Sequence, residues 1–291
     1  MLGIELDEAY AIAVRIDDHG AVQARARVDA AGDLAAATAN ALAQVESGPA
    51  DPADPIGVAA TNPDAPAIAR VVSSLAGRLA GGVIMSGTAA AAAETWVGVA
   101  RGVQDVVFFA VGQHTTGGIV RGGAVIAGTR GRAGSIAWLA LNPVEREDYR
   151  KTGCLEAEVA AAGLVRRLIW RIKAGDRSRV QDAVKDDLSA ITVDHLLDAA
   201  RAGDGESISV VRDTAKYLGM AAANLVVVAD PEMLVLGGIM ASAADLLLEP
   251  LRVELARRLP KPMMDALRIE TATLGADAAA SGAAYLASAR P

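Results

Sequence analysis

A single cysteine, Cys154, in 291 residues leaves no partner for an internal disulfide and too few thiolates for a multi-cysteine metal site. Aromatic residues are almost as scarce, 3% of the chain with only two phenylalanines, while hydrophobic residues reach 52%. The core must therefore be assembled from Ala, Val, Leu and Ile, which let helices lie close on sheets and favour an α/β architecture over an all-β sandwich. No dense basic run occurs, and 28 Lys plus Arg against 35 Asp plus Glu leave a net charge of −7. Direct nucleic-acid binding is not expected of such a chain. Long apolar runs are missing too: Met220 to Ala229 is about half of the roughly 20 residues that a membrane span needs. The opening Leu2-Gly3-Ile4-Glu5-Leu6 lacks the basic stretch, apolar run and small-residue cleavage site of a secretion signal. These absences predict a cytoplasmic protein that contacts neither membrane nor nucleic acid.

What is present divides into two similar halves. Gly3 to Ile16 alternates apolar and polar residues, Asp17-Asp18-His19-Gly20 supplies turn chemistry, and Ala21 to Val28 alternates again, which reads as a hairpin. Asp33 to Val45 reads as helix, Gly48 to Pro55 as loop, Ile56 to Ala60 as strand, Ala65 to Leu79 as helix and Gly82 to Met85 as strand. Ala89 to Ala100 is a strong helix former that ends near Gly102. The style then repeats: strand Val106 to Val111, a glycine-rich turn Gly112 to Gly118, strand Ile119 to Val120 and strand Ala124 to Ala127. A hairpin opening each half predicts a duplicated architecture, with lobes over 1–104 and 105–275 and the last helix, 276–289, completing the first lobe. Val211, Ala215, Leu218, Ala222 and Leu225 share one face of a buried helix that Asp230-Pro231 stops before the apolar strand Met233 to Leu236. Helices are also read over Glu156 to Ile172 and Ala241 to Leu259.

Asn224 to Gly238, with Asp230-Pro231-Glu232, a strand and Gly237-Gly238, resembles the helix, Asn-Pro-Glu turn, strand and Gly-Gly of the ROK (repressor, open reading frame, kinase) family. Gly117-Gly118-Ile119, Ala133-Gly134-Ser135-Ile136-Ala137-Trp138 and Gly153-Cys154-Leu155-Glu156 are similar in order and spacing to that family's second phosphate loop, Glu-Ile-Gly-His motif and zinc loop. The resemblance runs over nearly the whole chain. It implies two ribonuclease-H-like lobes of the actin-like ATPase kind, with a sugar and ATP cleft between them.

The departures from the family carry the functional information. Where the family has Asp-x-Gly-Gly-Thr, whose glycines let backbone N–H groups approach ATP phosphates, this chain has Glu5, Asp7, Glu8 and Ala9. Each close pair between these acids and a polyphosphate costs on the order of 1 kcal/mol even in bulk water. Solvation of a surface hairpin is the ordinary role for them, and magnesium capture by Glu5 and Asp7 the alternative. The second phosphate loop has become Gly112-Gln113-His114-Thr115-Thr116-Gly117-Gly118, whose side chains crowd a backbone cradle. His114 is read as a surface turn residue, or with Thr115 as a donor to a different anion. Ser86 stands at the family's catalytic Asp and Thr88 at its second Asn; a serine hydroxyl cannot take up a sugar's proton near pH 7, so both are read first as helix N-caps. Ser135 and Trp138 replace the sugar-contacting Glu and the zinc-ligating His. Trp138 either stacks on a sugar or packs in core or interface. Only Cys154 remains of the zinc ligands, so no metal is expected. Glu156 matches a retained sugar contact, or serves the electrostatics of a helix start.

From these residues the chain reads as a non-catalytic ROK-fold protein, a pseudokinase, that binds a small neutral metabolite such as a sugar near Glu156, Ser86, Thr88, Ser135 and Trp138. Gly117, Gly118, Gly237 and Gly238 are the candidates on the nucleotide side. No cofactor is expected; ATP and magnesium enter only under the alternative of a divergent ATP-dependent sugar kinase using Glu5 or Asp7 as base. A second alternative is a regulator without its own DNA-binding domain. The resemblance also implies a homodimer.

Overall fold

The computed structural model describes residues 1–46 and 55–288. Most of the expected loop from Gly48 to Pro55 and the end of the final helix at Ala289 lie outside them.

Two five-stranded sheets form the framework, and they have the same strand order. In the first, β1 (Leu2–Leu6) pairs antiparallel with β2 (Tyr10–Ile16), β2 with β3 (Val22–Asp29), and β1 parallel with β4 (Ile56–Ala60), which pairs parallel with β5 (Ile84–Met85). In the second, β6 (Val106–Val111) pairs antiparallel with β7 (Thr115–Arg121), β7 with β8 (Ala124–Val125), and β6 parallel with β9 (Met233–Gly238), which pairs parallel with β10 (Arg268–Thr271). Each sheet is thus an antiparallel three-strand meander extended by two parallel strands. The duplication predicted from the two hairpins is present, and the architecture is the two-lobed actin-like one.

The first hairpin differs from its reading. Gly3 to Ile16 is not one strand: Asp7 breaks it, its Oδ1 accepting the Ala9 N–H at 2.8 Å while the Asp7 and Tyr10 backbones bond each other. An aspartate that bonds the backbone two residues on makes a tight turn, so β1 and β2 become neighbours with every β1 residue buried. The second hairpin is also tighter than expected. Its turn is confined to 112–114, and Gly117 and Gly118 lie inside β7 opposite Phe109 and Phe108.

Those two glycines serve packing. A Cβ on Gly118 would come within 2.2 Å of the Gly87 carbonyl oxygen, and one on Gly87 within 2.3 Å of that of Gly117. The Ser86–Trp96 helix therefore lies directly on β7, joining the two sheets through a cluster that includes Ala89, Ala91, Val106 and Phe108. The Ala278–Ser288 helix closes this junction, resting on β1, β4 and the Ser86–Trp96 helix. Glu94, fully buried, fixes the crossing: it accepts the N–H groups of Val99, Thr273 and Leu274 at 3.0, 2.9 and 3.0 Å.

The helix bearing Val211, Ala215, Leu218, Ala222 and Leu225 spans Gly205–Ala229 with all five buried, and Asp230 ends it in the left-handed conformation. The span read as one helix from Glu156 is two, Cys154–Val159 and Ala161–Lys173, broken at the extended Ala160. Similarly, Ala241 to Leu259 resolves into Ile239–Ser242 and Ala244–Ala256. Among the described residues no helix is long and apolar enough to cross a membrane.

Candidate ligand-binding cleft

The β1–β2 turn (7–9) and the β6–β7 turn (112–114) hold the same position in their sheets, and they meet. His114 Nε2 lies 3.2 Å from Asp7 Oδ2, and its Nδ1 lies 3.2 Å from Glu156 Oε1. With a carboxylate facing each ring nitrogen, the imidazole is held as a doubly protonated cation. The hydrogen bond to Asp7, then that to Glu156, push its pKa up to about 10 against the effect of burial. Burial raises the Asp7 carboxyl, but hydrogen bonds from His114, the Ala9 N–H and Thr61, together with the His114 charge, hold it below the usual range. Thr61 donates to Asp7 Oδ2 at 3.0 Å, and the Thr115 N–H donates to Glu156 Oε2 at 2.7 Å. A second bridge, Arg132 to Asp64, spans the same opening between the sheets.

This arrangement corrects three expectations. Glu5 and Asp7 are buried, 8% and 2% exposed, and only Glu8 is a solvated surface acid. His114 is not an idle turn residue but the cation between two carboxylates. Ser86 and Thr88 do not cap the Ser86–Trp96 helix: Met85 holds the N-cap position, and both hydroxyl residues lie within the helix and are buried.

The bridge separates two cavities, and His114 and Thr61 line both. The larger, about 570 Å³, is bounded by Glu5, Ser86, Phe108, Gly237 and Gly238. Gly238 ends β9 at φ 62°, where a Cβ would lie 2.0 Å from the Val111 carbonyl oxygen, so the turn there requires glycine. The smaller, about 280 Å³, is bounded by Thr115, Ser135, Trp138, Lys151 and Glu156. Of the five sugar-side candidates, Ser135, Trp138 and Glu156 are brought together around the smaller cavity, Ser86 faces the larger, and Thr88 lines neither. Of the four nucleotide-side glycines, Gly237 and Gly238 line the larger cavity, whereas Gly117 and Gly118 are the packing positions described above.

Two readings of Trp138 stood open, and its 57% exposure removes it from the core. Ser135 Oγ is occupied, donating to the Arg132 carbonyl at 2.8 Å. Thr115 Oγ1, by contrast, is buried without a hydrogen-bond partner. Beside this cavity the loop that resembles a zinc site is held by charges. Arg146 reaches Asp148 at 3.0 Å and Glu158 at 3.2 Å, Arg166 reaches Asp148 at 2.8 Å, and the Tyr149 hydroxyl donates to Glu158. The remaining cysteine, Cys154, is buried.

The ROK family profile matches residues 47–290. The chain belongs to the ROK family. It is similar to the glucokinase of Halalkalibacterium halodurans, 34% identical over 200 residues that cover 68% of this chain and 60% of that one. It is also 34% identical over 208 residues to the bifunctional enzyme NanE/NanK of Brucella suis, covering 70% of this chain and 34% of that protein. The matched stretch thus spans less than two thirds of either relative. Among solved structures, a ROK family glucokinase from Streptomyces griseus in complex with glucose and AMPPNP superposes with a TM-score of 0.84 at 22% identity, covering 98% of both chains. That likeness establishes the ROK fold for the described residues.

Proposed function

We propose that this ROK protein binds a neutral sugar in the 280 Å³ cavity and does not phosphorylate it at an enzymatic rate. One observation carries the binding half: an exposed indole, Trp138, shares a single cavity with the Glu156 carboxylate and with the buried, unpartnered hydroxyl of Thr115. A face for a sugar ring beside polar groups that fix hydroxyls is what carbohydrate recognition requires. At about 280 Å³ the space is just under the usual range of roughly 300–1,000 Å³ for small-molecule sites, which suits a single ring.

The non-transferring half rests on the residues at the transfer position. Ser86 offers no base, and the Asp7–His114–Glu156 bridge occupies the passage between the two cavities. The kinase relatives favour the other reading, an ATP-dependent sugar kinase needing ATP and magnesium. One feature of this chain agrees with them: burial pushes the Glu5 carboxyl, beside Ser86, up to about 7, in the range of a general base at neutral pH.

Calorimetry with glucose and N-acetylmannosamine, run beside a coupled ATP assay, separates the readings. Saturable sugar binding with negligible turnover is expected. Turnover of about 1 per second or more makes the protein a kinase. Absence of binding by either sugar refutes the carbohydrate assignment. We also propose a homodimer through the second lobe, where Trp170 and Val228 are 70% and 84% exposed; a monomer mass in light scattering refutes it.

A further inference from the structure

Six carboxylates are buried among the described residues, and five of them have formed partners. Asp7 has His114, Thr61 and the Ala9 N–H. Glu94 has three backbone N–H groups, Glu158 has Arg146 and Tyr149, Asp204 has Ser178 and Ser207, and Glu254 has Arg257 and Arg258. Glu5 is the exception. Both cations near it are engaged elsewhere: Arg27 stacks over the Tyr10 ring at 4.1 Å with its Nε 3.6 Å from Asp29, and His114 is divided between Asp7 and Glu156. The remaining polar neighbour is Ser86, 3% exposed, which lowers the Glu5 pKa as a hydrogen-bonding neighbour although its hydroxyl makes no hydrogen bond of good geometry.

These two incompletely satisfied groups lie together in the wall of the 570 Å³ cavity, which combines apolar Ala90, Phe108 and Val111 with polar Arg27, Gln113, His114 and Thr116. A carboxylate has about four lone-pair sites, and at Glu5 burial outweighs the Ser86 contact and the more distant charges of Arg27 and His114. N–H donors carrying positive charge are the groups that would complete it once ionised. A polyphosphate supplies the wrong sign, adding repulsion from Glu5, Asp7 and Glu8. A metal ion needs several oxygen ligands, and Asp7 is already committed to His114.

We propose that the larger cavity is a binding site for an organic cation, a primary amine on an apolar body, whose N–H groups reach the Glu5 carboxylate and the Ser86 hydroxyl. The site is separate from the sugar-side cavity and stands whether or not a sugar binds there. Groups facing Glu5 are Asp7 on the β1–β2 turn, Tyr10 on β2, Arg27 on β3, Ser86 on its helix and His114 on the β6–β7 turn. Glu5 must lose its proton to pair with an ammonium, so binding strengthens with rising pH. With the carboxyl titrating near 7, affinity at pH 6 should be about tenfold below that at pH 8.

Calorimetry with phenethylamine as probe, phenethyl alcohol as its uncharged counterpart, and magnesium chloride and ATP each alone tests the proposal on the full chain. Saturable amine binding at pH 8, at least tenfold tighter than the alcohol, with the preference abolished in Glu5→Gln, supports it. Glu5→Gln removes an unpaired buried charge and should melt no lower than the parent at pH 8, which a thermal scan verifies. Equal affinity for amine and alcohol, a preference that survives Glu5→Gln, binding of magnesium or ATP in place of the amine, or no saturable amine binding up to about 10 mM overturns it. Sugar titrations of the same two proteins report on the other cavity, so failure of one reading is distinguishable from failure of the other.

Discussion

The β1–β2 turn and the β6–β7 turn occupy the same place in two sheets of identical strand order, yet one carries acids and the other a histidine. Placed opposite each other at the cleft, Asp7 and His114 form an ion pair where two backbone cradles would have to close on a polyphosphate. Equivalent positions in a duplicated fold have thus acquired complementary charge. A phosphate entering there must both break a formed pair and approach further carboxylates. This contrast separates the scaffold, which the chain shares with its family, from the charges that its two turns carry.

The largest effect should come from treating a packing glycine as a loop glycine. Gly118→Val puts side-chain atoms into the Gly87 carbonyl, so a loss of about 4 kcal/mol or more in urea unfolding is expected. Gly112→Ala is the matching change in the turn itself, where a Cβ meets nothing closer than 3.9 Å, and its cost should stay within about 1 kcal/mol. Similar costs for the two would show that Gly118 is not held by the helix contact.

Breaking the bridge ranks next. His114→Ala leaves Asp7, 2% exposed, with only Thr61 and one backbone N–H, at a cost of about 1–3 kcal/mol. A double-mutant cycle with Asp7→Ala should give a coupling of about 0.5–3 kcal/mol, and additivity would deny the contact. The pH dependence follows from the two shifts. His114, raised from 6.5 to about 10 when folded, contributes stability that is complete below pH 6.5 and is lost as pH climbs towards 10. Asp7, depressed below 3.8, contributes above that value and loses its contribution as pH falls through its folded pKa. The stability difference between parent and His114→Ala should therefore be widest between about pH 4 and 6.5 and shrink by pH 9. A difference that grows with pH would contradict a protonated histidine.

The family framework was legible because it rests on periodicity and on residues with few substitutes: the face from Val211 to Leu225, the stop at Asp230-Pro231, and Gly238 at positive φ. The bridge was not legible because its three members lie far apart in sequence, at 7, 114 and 156, and alone Asp7 and His114 read as surface groups and Glu156 as a sugar contact or a helix-start charge. Only the superposition of two hairpins makes them neighbours. Alternation also misled at Asp7, since a half-buried strand and two buried strands joined by a tight turn share the pattern of Gly3 to Ile16. Burial of Glu5 was hidden for the same reason: an acid in a strand next to an acidic turn looks solvated until the cavity wall closes around it.

The smallest effect on stability, and the sharpest on binding, should come from Trp138. Its indole is 57% exposed and adjoins the sugar-side cavity, so Trp138→Ala should alter unfolding free energy by no more than about 0.5 kcal/mol. Ring stacking is worth about 0.5–1.5 kcal/mol, so sugar affinity should fall about two- to tenfold. Fluorescence isolates the event because the three tryptophans differ in surroundings: Trp96 is stacked on Tyr285 at 4.6 Å, Trp170 lies on a different helix away from the cavity lining, and only Trp138 adjoins it. A sugar-dependent change in emission that disappears in Trp138→Ala places the ligand against the indole. If the emission change survives the substitution, the ligand binds elsewhere. If Trp138→Ala instead lowers the mass seen by light scattering while leaving sugar affinity intact, the exposed indole belongs to an interface, and the cleft's recognition falls to Glu156 and Thr115 alone.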